Sequence, residues 1–317
     1  MNILLPIVVK PEMFGPGTTI PEVDTGVGEV AWEAGGTYGV GDRRIDAGYT
    51  YEVVKAPSTT EEKALRPSDP KASAFWLKDE NAPSNRMAPF DSYLFTQARA
   101  SGELTYVLRP GFVTGFAMHG VDANSFEFTY RDSPEGEVLV SQSGVLYEQA
   151  YGLWEYLFGD LQRDTKWTSP PLPLRPNGEI TITLRQTLPT TEVSVGWLGV
   201  GQWQFISSPM SPSTTGAQYG IEVTPKSYSY YKGNPDGTYL RKPGRQAKVI
   251  TGSAVVDAIQ APRIEALLRR AADTAVAVDF SALPKYRHLG TVGFLTGSVT
   301  NDRWNTARFD FKMEGNI

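Results

Sequence analysis

Cysteine is absent, and histidine occurs only at positions 119 and 288 of the 317 residues. The first absence excludes a disulfide scaffold, a thiolate-bound metal and a thiol nucleophile. The second leaves almost nothing from which to build a Ser-His-Asp arrangement or a His-ligated metal centre. A basic excess is missing too: 30 Lys and Arg stand against 35 Asp and Glu, a net charge of −5, which argues against a nucleic-acid binder. The opening stretch, Met1 to Phe14, has no basic n-region, and Pro6 breaks its apolar run, so it predicts neither a secretory leader nor a membrane span. What is abundant is Gly (31), Pro (23), Tyr (15), Phe (14) and Trp (7). With 40% apolar residues, the composition predicts a β-rich chain of short strands that is long enough for about two domains and a sizeable core.

The pattern along the chain divides it into five stretches. Residues 1–29 carry Pro6, Pro11, Pro16 and Pro21 with Gly between them, and predict an extended arm that either lies on its own body or a neighbouring subunit or is a floppy terminus. Residues 30–84 predict a small aromatic β unit, in which Arg43 to Ile45 and Tyr49 to Val54 are strands joined by an Asp46-Ala47-Gly48 turn. Residues 85–205 predict a jelly-roll-like β-sandwich built from 104–108, 112–118, 125–130, 137–140, 179–184 and 192–198. The aromatic stretch Tyr147 to Phe158 fits either a strand or one helical turn, and residues 206–220 read as a linker. Residues 221–317 predict an α+β unit. Its Asn234-Pro235-Asp236-Gly237 turn closes a hairpin, and Pro262 opens a helix whose inner face is Ile264, Leu267, Leu268 and Ala271.

Candidate chemistry is sparse. His119 ends an apolar strand with Asp122 nearby, but no elbow-type serine accompanies it, and the reading is a hydrogen-bonded core histidine. Gly196 to Gly201 has the glycine density of a phosphate cradle. No helix opens after it, so the glycines are read as making room for large neighbours in a strand. Asp122, Asn124 and Glu127, or Asp132, Glu135 and Glu137, supply oxygens at spacings that match no calcium loop. The sequence therefore assigns no catalytic residue, no metal ligand and no cofactor. The most informative set is Trp32, Tyr38, Tyr49, Tyr51 and Trp76. Exposed in a row, such rings stack on sugars; in so small a unit, most of them are better read as the material of a core.

That set resembles the chitin-binding modules of carbohydrate-binding families 5 and 12, through Trp32, Tyr38-Gly39-Val40-Gly41-Asp42, Gly48-Tyr49-Thr50-Tyr51, Pro67-Ser68-Asp69-Pro70 and Trp76. The loop Thr59 to Arg66 is longer and more charged than in those modules. Over most of its length the chain resembles virion structural proteins of tailed bacteriophages. The matching stretches are Glu29 to Trp32, Asn85 to Tyr93, Leu104 to Phe112, Leu146 to Phe158, Lys232 to Tyr239, Ala266 to Arg269 and Phe311 to Gly315. This resemblance implies a component of a tail tip, baseplate or fibre-attachment region, located in the virion. Its partners would be its own copies and other tail proteins, with no enzymatic step. The alternative it leaves is recognition of a host-surface glycan through residues 30–84, and more remotely a glycan depolymerase.

Overall fold

The computed structural model describes residues 1–147, 150, 152–159, 163–207, 215–233, 235, 237–280 and 284–315. The first 84 residues supply β1 (Asn2–Pro6), β2 (Arg43–Asp46), β3 (Tyr49–Val53) and β4 (Trp76–Pro83), with the one-turn helix α1 (Thr60–Ala64) between the last two. Next come β5 (Ala98–Ser101), β6 (Glu103–Leu108), β7 (Gly115–Asp122), β8 (Ser125–Arg131) and β9 (Val138–Val145). Helix α2 (Leu153–Phe158) precedes β10 (Lys166–Thr168), β11 (Glu179–Arg185) and β12 (Glu192–Phe205). The last third begins with β13 (Gly216–Ala217), β14 (Glu222–Ser227), β15 (Tyr230–Gly233), β16 (Tyr239–Lys242) and β17 (Gln246–Asp257). Helix α3 (Ala261–Ala271), β18 (Val276–Asp279), β19 (Thr291–Thr300) and β20 (Thr306–Gly315) complete it. The protein is thus mainly β, with one packed helix near its C-terminus.

Two sheets make the sandwich. Strands β6, β11, β8 and β9 lie side by side, and their alternating residues face inward: Leu104, Tyr106 and Leu108, then Ile180, Ile182 and Leu184, then Phe126, Phe128 and Tyr130. Opposite them stand Phe116 and Met118 of β7 with Val193, Val195, Leu198 and Val200 of β12. In both of these strands the inward positions change parity, between Met118 and Val121 and between Val195 and Leu198. Gly120 sits at that step with φ +64°, and a Cβ on Gly196 would meet the Leu94 carbonyl at 2.6 Å. Alternation from Phe116 and Met118 points His119 away from the sandwich core, and the parity change in β12 turns its register partner Trp197 to the same side.

The expectation of an N-terminal arm needs correction. Residues 2–6 are not an extension but a central strand: β1 pairs antiparallel with β12 on one side and β18 on the other, in a sheet ordered β10-β7-β12-β1-β18-β19-β20-β17-β13. Pro6 is tolerated because it is the strand's last residue. Ile3 and Leu5 point into the core beneath α3, together with Ile250, Ile264, Leu267, Phe309 and Met313, while Leu4 packs on the other face with Trp197, Trp203 and Ala277. The rest of the arm lies on its own body. The amides of Gly15 and Thr19 donate to the carbonyls of Val107 and Thr105, and the Arg109 amide donates to Met13, so this segment covers the edge of β6.

The boundary at 206–220 is corrected on the same ground. Strand β1 knits the sandwich and the C-terminal strands into one eleven-stranded sheet, so the two are not joined by a free linker. Ile206 is fully buried in the C-terminal core and β13 pairs with β17; residues 208–214 lie outside the described residues. The glycines of β12 serve this join. A Cβ on Gly201 would fall on the Leu5 carbonyl, and one on Gly199 on the Trp197 ring. The helix follows expectation closely, with Pro262 in its first turn and Ile264, Leu267 and Ala271 buried.

Candidate functional site

The five aromatic residues singled out by the sequence are brought together, but chiefly as a core. Tyr38, Tyr51 and Trp76 are buried with Val53, Ala72 and Phe75, and Trp32 and Tyr49 pack half-buried against them. The Tyr38 and Trp76 rings meet edge to face at 5.0 Å. The Tyr38 hydroxyl donates to the Glu33 carbonyl (2.6 Å) and accepts from the Glu33 amide (2.9 Å), which spends its polar end inside the unit. Burial dominates the upward shift of the Tyr51 pKa. The two less buried rings each carry a cation: Arg66 lies 5.9 Å from the centre of Trp32, and Lys78 lies 3.9 Å from that of Tyr49. A sheet of three short strands buries too little without these rings, and that demand explains their density.

Local chemistry explains the unit's loops. Ala47 (φ 50°) and Gly48 (φ 79°) form the tight turn between β2 and β3. The charged loop winds into α1 through a capping box. The Glu62 amide donates to Thr59 Oγ1, and the Glu62 carboxylate accepts from the Thr59 and Ser58 amides, which holds that carboxyl down at about 2.

His119 is fully enclosed. Desolvation first, and then the charges of Lys166 and Lys248, depress its pKa to about 3, so the ring is neutral. Its Nε2 has no hydrogen-bond partner, and its ring lies edge-on to Trp197 at 5.9 Å. The hydrogen bonding expected of this residue is therefore missing at that nitrogen. Asp122 and Glu127 do not converge on a common ligand: Asp122 pairs with Arg163, and Glu127 with Arg185 at 3.0 Å. Among the described residues no three His, Asp or Glu side chains are grouped as a metal would require, and no helix is long and apolar enough to cross a membrane.

Two exposed features were not legible as sites in the sequence. The first is α2, whose Leu153, Trp154, Tyr156, Leu157 and Phe158 are all exposed, Trp154 to 75% and Phe158 to 68%. Its Trp154 and Phe158 rings touch each other at 4.5 Å. The second is a concavity of about 470 Å³ lined by Tyr93, Phe95, Tyr228, Phe294, Arg245 and Glu314. Each wall comes from a different part of the fold. An Asx turn fixes Tyr93, whose ring packs 5.1 Å from that of Phe95, with the Tyr93 amide donating to Asp91 at 2.7 Å and Thr96 Oγ1 donating to the same carboxyl at 2.5 Å. Burial raises the Asp91 carboxyl to about 6 against the lowering effect of those bonds. Phe294 and Glu314 are register partners on β19 and β20. The Tyr228 amide donates to the Arg245 carbonyl at 3.0 Å, just beyond the β14–β17 ladder.

From that pair the chain continues into the ribbon β15–β16, which joins no other sheet and exposes every residue. The turn expected at its tip is only partly described, since Asn234 and Asp236 lie outside the described residues. Between 219 and 248 the sequence places five Tyr and six basic residues against Glu222 and Asp236 alone, a local reversal of the chain's acidic balance. Comparison with protein-family models, with curated proteins and with solved structures finds no match for this chain.

Proposed function

We propose that this chain is a structural subunit of a tailed-phage tail tip, baseplate or fibre-attachment region, and that it acts by oligomeric assembly with its own copies and other tail proteins. The observation that carries the reading is α2. Five of the six side chains of this short helix are large and apolar, with only Glu155 among them, and none of the six is buried. Apolar surface left together in water favours association, and clustered Trp, Tyr and Phe are the residues on which protein interfaces concentrate their energy. The stretch Leu146 to Phe158, on which the phage resemblance partly rests, contains this helix.

The alternative of glycan recognition by residues 30–84 is weakened by burial: Tyr38, Tyr51 and Trp76 cannot reach a sugar while they form the core of that unit. Deleting residues 1–29 is not a clean test of assembly, because it also removes β1 from the centre of the main sheet. Composition and imaging of purified particles test the reading. The chain is expected in the tail at fixed stoichiometry, with residues 153–158 covered by another subunit. Particles that form complete tails without the chain would overturn it.

A further inference from the structure

We propose that the concavity between Tyr93, Phe95, Tyr228 and Phe294 is a carbohydrate subsite that takes a pyranose ring of an acidic polysaccharide, with the β15–β16 ribbon as its cationic approach. This site is separate from the five aromatic residues of 30–84 and independent of the assembly reading.

The ring set is what a core would use, yet it is not spent on one. Tyr93 and Phe95 are more than a third exposed and Tyr228 is half exposed, although backbone hydrogen bonds hold Tyr93 and Tyr228 and the Phe95 ring packs 5.1 Å from that of Tyr93. Rings fixed before binding lose little entropy on contact, and a pyranose offers flat C–H faces to cover them. Two polar groups share the cavity. Arg245 lies 4.4 Å from the centre of the Phe95 ring and presents N–H donors. The Glu314 carboxylate is kept ionised by Lys312 at 2.6 Å and, more weakly, by Lys226 at 3.9 Å, and presents acceptors. Hydroxyl groups both donate and accept, so a sugar satisfies both neighbours at once, whereas a purely apolar ligand would strand them. The volume lies within the ~300–1,000 Å³ of ordinary ligand pockets.

Charge selects among sugars. Lys232, Arg241 and Lys242 lie on the ribbon that the chain forms between the cavity residues Tyr228 and Arg245, and the guanidinium of Arg241 lies 5.7 Å from the Tyr231 ring. Tyr231 faces Arg241 across the ribbon and Tyr230 faces Lys242, so each of these rings is paired with a cation, one pair on each face. Such a field draws in a polyanion. A nucleic acid would stack on the same rings, and its binding is the competing outcome that the test separates from that of a sugar.

The test uses the full chain, titrated calorimetrically with alginate oligomers as the polyuronate, dextran as the neutral glycan and oligo(dT) as the nucleic acid. Tyr228→Ala, Arg245→Gln and a distant charge control, Arg270→Ala, are measured beside it, each checked for an unchanged melting curve. Alginate is expected to bind more tightly than dextran and oligo(dT), with each cavity variant weakening it at least about tenfold and the control leaving it unchanged. Should Tyr228→Ala melt early, Arg245→Gln alone decides, because its side chain lies at the surface. The proposal is overturned by absence of alginate binding, by equal losses in Arg270→Ala, or by oligo(dT) binding as tightly through the same residues.

Discussion

Leu4→Asp is expected to prevent the chain from reaching its folded state. Leu4 is fully buried on a strand whose neighbours on both sides depend on it, against Trp197, Trp203, Ala277 and Val292. Removing such a side chain to Ala costs about 2–5 kcal/mol, and placing an unpaired carboxylate there adds a desolvation penalty of several more. A domain's whole stability is about 5–15 kcal/mol, so the sum consumes most of it. Expression as soluble protein and far-UV circular dichroism measure the outcome. Leu4→Ala, expected to fold with a lowered melting temperature, separates the cavity from the charge. A cooperative melt of Leu4→Asp near the wild-type temperature would show that β1 is dispensable.

Acid is expected to destabilise the protein through His119. Its folded-state pKa of about 3 lies below the ordinary 6.5, so between those values the unfolded chain binds the extra proton. Stability from this residue is therefore complete above pH 6.5 and falls as the pH drops toward 3, by on the order of 4 kcal/mol. Asp91 works in the opposite sense. Its folded-state value of about 6 exceeds the ordinary 3.8, so its penalty is present above pH 6 and is relieved as the pH falls toward 3.8. The net acid slope is correspondingly shallower than His119 alone would give. His119→Phe keeps a ring beside Trp197 and removes the titration together with the unpartnered Nε2. Denaturant melts at pH 7 and pH 4.5 are expected to differ less in this variant than in the wild type. An unchanged difference would mean that other groups set the acid limb.

The strands of the sandwich were readable because period-two alternation survives in them: Leu104, Tyr106 and Leu108, or Phe126, Phe128 and Tyr130, are inward on one face exactly where the sequence places apolar residues two apart. Helix α3 was readable from Pro262 and the spacing of Ile264, Leu267 and Ala271. Strand β1 was not. Ile3-Leu4-Leu5 carries no alternation because both of its faces are buried, and the recurring prolines downstream drew the reading toward an arm. The parity change at Gly120 and Gly196 was likewise hidden, since it depends on the approach of Leu94 from outside the strand. For the aromatic set, residue type and spacing were the same for a sugar platform and for a core; only the packing of Tyr38 against Trp76 separates them. The cavity joins positions 93, 228, 245, 294 and 314, which no local pattern connects.

Sedimentation of the purified full chain, beside the double variant Trp154→Ser, Phe158→Ser, tests assembly through α2 most directly. Self-association of the wild type and a folded, dissociated variant are the predicted pair of results. A wild type that stays monomeric as its concentration is raised, or a variant that associates equally well, would contradict it.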